Sequence, residues 1–181
     1  GASGNVSVRI GDHVLITPSG VTYDLLEPEA IVVVDLDGRV ISGGKPSTEV
    51  PMHTLVYRHT DATAIVHAHP LAGTALSTLV DEVPTIHYNL AAFGGPVRVA
   101  KYATFGTDEL AAAVRAAMEG RSAVLMANHG TITWASDLTS AYQKAVLLEW
   151  ICELALKAMS AGNPRLLGAA EVEHVRQKIE Q

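Results

Sequence analysis

Apolar and polar residues alternate along the first forty positions with the two-residue period of half-buried strands. Val6-Ser7-Val8-Arg9-Ile10 alternates strictly, Gly11-Asp12 reads as a turn, and His13-Val14-Leu15-Ile16-Thr17 alternates less cleanly. Pro18-Ser19-Gly20 breaks that strand. Residues 31–36, nearly all apolar, predict a second strand, and Asp37-Gly38 is a strong hairpin turn before Arg39-Val40-Ile41.

Further along, the spacing changes. Pro46 precedes a helical segment from 48 to about 59, with Val50, Leu55 and Val56 near one face and N-capping chemistry in Ser47-Thr48-Glu49. The β-branched run of Ala64-Ile65-Val66-His67-Ala68-His69 predicts a buried strand, ended by Pro70, which permits a new helix to about 79. Residues 84–86 and 97–100 read as short strands separated by Gly94-Gly95-Pro96. Thr107-Asp108-Glu109 opens an alanine-rich helix that Gly120 closes. Strands at 123–127 and 131–134 flank Asn128-His129-Gly130. A long helix from 137 to about 161 ends at Gly162-Asn163-Pro164, and an amphipathic helix runs from 169 to the end.

Strands joined by tight turns, with helices interspersed, predict an α/β fold of three layers. A mainly antiparallel central sheet is covered by helices on both faces. No repeat, linker or low-complexity tract interrupts the 181 residues, so one domain over 1–181 is expected.

Composition narrows the function classes. With 48% hydrophobic and 18% charged residues, the chain belongs with folded proteins rather than disordered ones. Its net charge is −6 and its basic residues are scattered singly, which argues against nucleic acid as the main partner. A small anion held by backbone amides stays open. The lone Cys152 makes no intramolecular disulfide, which points to a reducing compartment. No apolar run approaches the ~20 residues needed to span a bilayer, and no signal peptide opens the sequence. A cytoplasmic location without a membrane partner is expected.

The chemistry concentrates on His67 and His69. Alternate residues of a strand point to one face, roughly 6–7 Å apart at the backbone. Two imidazoles there can close on one divalent cation, with zinc–nitrogen bonds of about 2.0–2.1 Å. A single buried histidine is more simply a core residue satisfied by backbone acceptors. A desolvated pair facing one way is costly without a shared ligand. His129, at a strand end before Gly130, is a candidate third ligand. His13, His53, His59, His87 and His174 lack such settings, and solvated or capping roles are expected for most of them. Glu49 in the first helical turn is favoured by the helix dipole; beside a metal it could instead be a ligand or a general base. Ser3-Gly4-Asn5, Thr17-Pro18-Ser19-Gly20 and Lys45-Pro46-Ser47-Thr48 are small polar segments able to cradle a phosphate, the third at a helix start.

The ordered set Gly4-Asn5-Val6-Ser7-Val8-Arg9, Thr17-Pro18-Ser19-Gly20, Lys45-Pro46-Ser47-Thr48-Glu49, His67-Ala68-His69 and His129-Gly130 resembles the class II aldolase/adducin family. Ile86-His87-Tyr88, Ala91-Ala92, Gly94-Gly95 and Tyr102-Ala103-Thr104-Phe105-Gly106-Thr107 are similar to its L-fuculose-phosphate aldolase branch. The resemblance implies His67, His69 and His129 as zinc ligands, with other divalent metals compatible with such a set. It implies Glu49 and Tyr88 as catalytic groups, and Gly4, Asn5, Ser19, Gly20, Ser47 and Thr48 as the phosphate-binding residues. The implied reaction cleaves a ketose 1-phosphate, such as L-fuculose 1-phosphate, to dihydroxyacetone phosphate and a small aldehyde. A homotetramer with active sites between subunits is implied too.

Two departures stand out. The family usually places a helix before its first glycine loop, and this sequence begins at Gly1-Ala2-Ser3-Gly4 without it. Family aldolases also use a tyrosine in the C-terminal tail, and no tyrosine follows Tyr142. Alternative functions are a ribulose-phosphate 4-epimerase, whose members generally carry aspartate where Glu49 stands, a methylthioribulose-phosphate dehydratase, and a non-enzymatic adducin-like module.

Overall fold

A computed structural model describes residues 3–179 and 181. Eight strands form one sheet: β1 (Asn5–Ile10), β2 (His13–Ile16), β3 (Val32–Asp35), β4 (Val40–Ser42), β5 (Ala64–Ala68), β6 (Val99–Ala100), β7 (Ala123–Met126) and β8 (Gly130–Ala135). Their order across the sheet is β4-β3-β2-β1-β5-β8-β7-β6. Every pairing is antiparallel except β6 with β7, so the sheet is mixed and mostly antiparallel, as the strand-and-turn pattern predicts.

Among the described residues there are five α-helices: α1 (Val50–His59), α2 (Leu71–Leu76), α3 (Asp108–Ala117) and α4 (Leu138–Ala161), which cover the sheet, and α5 (Ala169–Ile179), which packs against residues 88–93. On one face, α1 and α3 bury Val56, Tyr57, Leu110 and Val114 against Val14, Val34, Ile65, Ile132 and Trp134. On the other, α2 and α4 bury Leu76, Leu148 and Ile151 against Ala123 and Leu125. Each fully buried Leu, Ile or Val contributes about 1.5–3 kcal/mol. This two-sided cover explains why β5, β7 and β8 are buried along nearly their whole length while burial alternates along the start of β1. No helix among the described residues is long and apolar enough to cross a membrane.

Local expectations fail in three places. Residues 84–86 are not a strand, because Pro84 has no N–H to give. Pairing occurs just before it, where Val83 N–H donates to Val97 O and Val99 N–H to Asp81 O, both at 2.8 Å. Thr85 turns instead to Leu167 in the segment leading to α5, exchanging two bonds of 2.8 and 2.9 Å. The helix after Pro70 stops at Leu76 rather than near 79. Ser77 and Thr78 hydroxyls bond the carbonyls of Thr74 and Ala75, both at 2.7 Å, drawing those acceptors away from a continuing helix. A six-residue 3-10 helix, Tyr88–Phe93, was not expected; His87 caps it by accepting from Asn89 N–H. The final helix is described to Ile179, and residue 180 lies outside the described residues.

The sheet brings two glycines against neighbouring backbone where a side chain has no room. A Cβ on Gly4, whose φ is +80°, would stand 2.6 Å from His67 O, and one on Gly130 would stand 2.3 Å from Ala68 O. These contacts seat the ends of β1 and β8 tightly against the end of β5. Gly130→Ala is therefore expected to destabilise the protein by about 2–3 kcal/mol, read as a lower denaturant midpoint with an unchanged slope.

Candidate active site

Five separate stretches of chain meet at one rim of the sheet. The start of β1 brings Gly4 and Asn5, the segments 17–20 and 45–49 bring Ser19, Gly20, Ser47, Thr48 and Glu49, the end of β5 brings His69, and the β7–β8 turn brings His129. They line a cleft of about 340 Å³. His67 lies behind the lining, 2% exposed and within 3.0 Å of Glu49 and His69, on the same sheet face as Ile65 and paired with Asn5 across the β1–β5 ladder.

His67 has its tautomer set by the sheet. Its Nδ1 lies 2.8 Å from the Thr131 carbonyl, an atom that only accepts. Nδ1 therefore carries the proton, and Nε2 presents a lone pair to the cleft. That lone pair lies 2.9 Å from Glu49 Oε2 and 3.0 Å from His69 Nε2. His129 Nε2 stands 3.4 Å from Glu49 Oε1. The three rings meet edge to face, with centroids 4.8–5.0 Å apart. One donor atom from each of Glu49, His67, His69 and His129 falls within 4.8 Å of every other.

Such a set of lone pairs repels itself unless a positive charge sits among them. Glu49 Oε1 is buried and has no hydrogen bond, the only such side-chain atom among the described residues. An acceptor left bare in this way signals a missing partner. Three imidazoles and a carboxylate fit a divalent cation, and His67 has the outer hydrogen bond that a ligating histidine needs.

His129 reaches the cluster through strained backbone. Asn128 adopts φ +56°, which asparagine tolerates better than most residues, and its N–H donates to Ser77 Oγ at 3.1 Å. His129 N–H closes the turn onto Met126 O.

Glu49 is held from the other side as well. Asn5 Nδ2 donates to Glu49 Oε2 at 2.9 Å, Asn5 Oδ1 lies 2.6 Å from His53 Nε2, and Ser7 Oγ lies 2.7 Å from both His53 Nδ1 and Tyr57 OH. The expectation of a solvated or capping His53 fails: this side chain is wholly buried. Its signal lies in spacing. His53 follows Glu49 by four residues on α1, and Ser7 follows Asn5 by two on β1, so each pair shares a face.

The expected phosphate segments do come together. Ser19 N–H donates to Lys45 O and Ser47 N–H to Thr17 O, tying the two loops side by side. Ser47 Oγ accepts from Glu49 N–H. The N–H groups of Gly20 and Thr48 make no hydrogen bond among the described residues, leaving donors at the cleft wall beside the start of α1. Gly4 and Asn5 line the same cleft. Tyr88 does not. It is 51% exposed, stacks on His87 at 4.3 Å, and lies outside the cleft of its own chain. Tyr102, Phe105 and Asn128 form part of the lining without any expectation from their sequence setting as cleft residues.

Burial works to raise the Glu49 pKa, but in the protonated form of the imidazole cluster a His67 hydrogen bond and charge, the Asn5 amide and the His129 charge outweigh it and hold the carboxyl at about 2. Burial, then the charge of His67, lowers His53 to about 3 and His129 to about 4. Burial also lowers His69. These imidazoles are neutral at neutral pH, the form that binds metal. The unfolded chain, with ordinary imidazoles, takes up protons that the folded chain refuses. Stability from these groups is full above the ordinary value of 6.5 and is lost as pH falls toward about 4. The Tm of metal-free protein is therefore expected to drop between about pH 7 and pH 5. A flat Tm across that interval would contradict buried neutral imidazoles.

Comparison with known proteins identifies the setting. Residues 1–156 match the family described as Class II Aldolase and Adducin N-terminal domain. The chain is 41% identical to 5-deoxy-D-ribulose 1-phosphate aldolase of Bacillus thuringiensis, covering 99% of this chain and 86% of that protein. It is 39% identical to L-fuculose phosphate aldolase of Escherichia coli K12, covering 99% and 85%. A solved L-fuculose 1-phosphate aldolase superposes with a TM-score of 0.97 at 39% identity, covering 100% of this chain and 87% of that one. The fold and the ordered residues of the cleft place this chain in the class II aldolase family.

Proposed function

We propose that the protein cleaves a ketose 1-phosphate by a metal-dependent retro-aldol reaction, giving dihydroxyacetone phosphate and a small aldehyde. The observation that carries this reading is Glu49, a carboxylate with one bare buried oxygen, set among three imidazoles at the foot of a cleft walled by phosphate-type loops. The two similar enzymes support the same class, since one name prints 5-deoxy-D-ribulose 1-phosphate and the other L-fuculose phosphate.

His67, His69 and His129 would hold the cation, with Glu49 beside it; zinc suits this set best. When bound, the ion supplies Lewis-acid stabilisation of the negative charge that develops as the carbon–carbon bond breaks. In the cleavage direction the C3–C4 bond breaks, the C4 hydroxyl loses its proton, and C3 gains one. Glu49 serves the proton at C3, its two oxygens being shared between the imidazole cluster and Asn5. Gly4, Asn5, Ser19, Gly20, Ser47 and Thr48 anchor the phosphate, which fixes the three-carbon half of the substrate against Glu49. Tyr88 serves the aldehyde oxygen in this reading. Because it lies outside its own cleft, it would do so from a neighbouring copy in a homotetramer.

A panel of phosphorylated ketoses followed by NMR tests the reaction. Zinc-loaded protein is expected to release dihydroxyacetone phosphate, and chelator-treated protein to do so only after zinc is restored. An epimerised or dehydrated product without dihydroxyacetone phosphate would overturn the aldolase assignment. Glu49→Gln is expected to lower kcat by about 10²- to 10⁴-fold, the usual weight of one positioned acid–base group.

A further inference from the structure

From Asn5 at the cleft wall, a line of buried polar groups runs behind Glu49 into the core, and beyond Asn5 the proposed chemistry does not use it. Tyr57, Ser7, His53 and Asn5 are respectively 1%, 1%, 0% and 5% exposed. They connect in that order through contacts of 2.7, 2.7 and 2.6 Å, and Asn5 then donates to Glu49 Oε2 at 2.9 Å. A buried line of this length constrains α1 and β1 together, but packing alone would be served equally well by apolar side chains.

The direction of every bond follows from the carboxylate at its end. Glu49 only accepts, so Asn5 must turn its NH₂ toward Glu49 and its carbonyl oxygen toward His53. His53 Nε2 must then carry the ring proton, which leaves Nδ1 as an acceptor. Ser7 donates its hydroxyl hydrogen to Nδ1 and accepts from Tyr57. Burial keeps the Tyr57 phenol well above its usual pKa, so it stays a donor, while Arg9 Nη1 bonds the Tyr57 backbone carbonyl and pins that end of the line. All four bonds thus polarise one way, toward Glu49, and such chains strengthen cooperatively.

We propose that His53 is a positioning residue for Glu49: fixed as its Nε2–H tautomer by Ser7 and Tyr57, it holds the Asn5 oxygen so that the amide NH₂ stays aimed at the carboxylate. Without the His53 donor, the Asn5 amide is anchored at one end only and can swing away from Glu49. The carboxylate would then lose the one partner that aims it from outside the imidazole cluster. The proposal rests on Glu49 being the proton-transfer group, and it predicts a larger effect on turnover than on substrate binding.

The test joins NMR to kinetics, using zinc-loaded protein. Nitrogen-15 labelling of histidine is expected to show His53 as a neutral ring protonated only at Nε2; the Nδ1–H tautomer would overturn the proposal. His53→Phe fills the space but removes both bonds, and kcat is expected to fall about 10- to 100-fold, the usual cost of losing an outer-shell partner, with a much smaller change in KM because the other phosphate anchors stay in place. His53→Gln, which keeps one donor and one acceptor, is expected to recover about tenfold of that loss. Tyr57→Phe, which spares the His53 ring, is expected to lower kcat by a smaller factor. A folded His53→Phe protein with wild-type kcat, or a His53→Gln protein no better than it, would overturn the proposal. If the wild type cleaves no phosphorylated ketose, the reaction assignment fails on its own. The Asn5 side-chain amide resonances then decide: they are expected to shift in His53→Phe and hold in His53→Gln, and no shift in either overturns the positioning role.

Discussion

The 2.8 Å hydrogen bond from His67 Nδ1 to the Thr131 carbonyl settles the character of the whole cleft. It exists because β5 and β8 pair antiparallel in a register that sets His67 opposite Ile132, one residue from Thr131. With Nδ1 occupied, Nε2 turns a lone pair toward Glu49 and His69. The geometry suits a cation among these atoms. The sheet therefore does more than carry side chains; through its register it decides which nitrogen of His67 faces Glu49.

A second pattern of bonds opposes and balances that one. From the cleft side, Glu49 meets imidazole nitrogens that have no proton to offer it. From the core side, it meets a line of donors that begins at a buried phenol. The carboxylate sits where an electron-rich cluster and a proton-rich line touch, and α1 begins at that junction, with Glu49 at its N-cap. The positive end of the helix adds to the same preference for an anion.

Much of this was legible from residue order. The alternation of β1, the apolar runs of β5 and β7, and the Asp137 cap of α4 follow from local rules, and the structure follows them. His67, His69 and His129 stood out because paired imidazoles on an apolar strand need a shared ligand. Less visible were features that depend on what lies across space. His53 looked ordinary because nothing in its own segment reveals that Asn5 and Ser7 stand beside it. The failure of residues 84–86 as a strand has the same origin: Pro84 ends the pairing locally, and Leu167, more than eighty positions away, supplies the alternative partner. Tyr88 shows a further limit, since nothing in its sequence setting reveals that it lies outside the cleft.

The separation of the cluster along the chain has a consequence for how the protein folds. Glu49 and His129 stand 80 positions apart, and the strands between them must pair in the order β1, β5, β8 before the four donors meet. Contacts of such high sequence separation form late and slowly. No fragment of the chain presents the complete set of ligands, so an ion cannot nucleate the sheet from a local loop as it does in small metal-templated domains. An ion held by this set would act instead as a final clamp, binding only the closed topology. Its stabilisation then grows with the logarithm of the free ion concentration and spreads across every strand that had to arrive first.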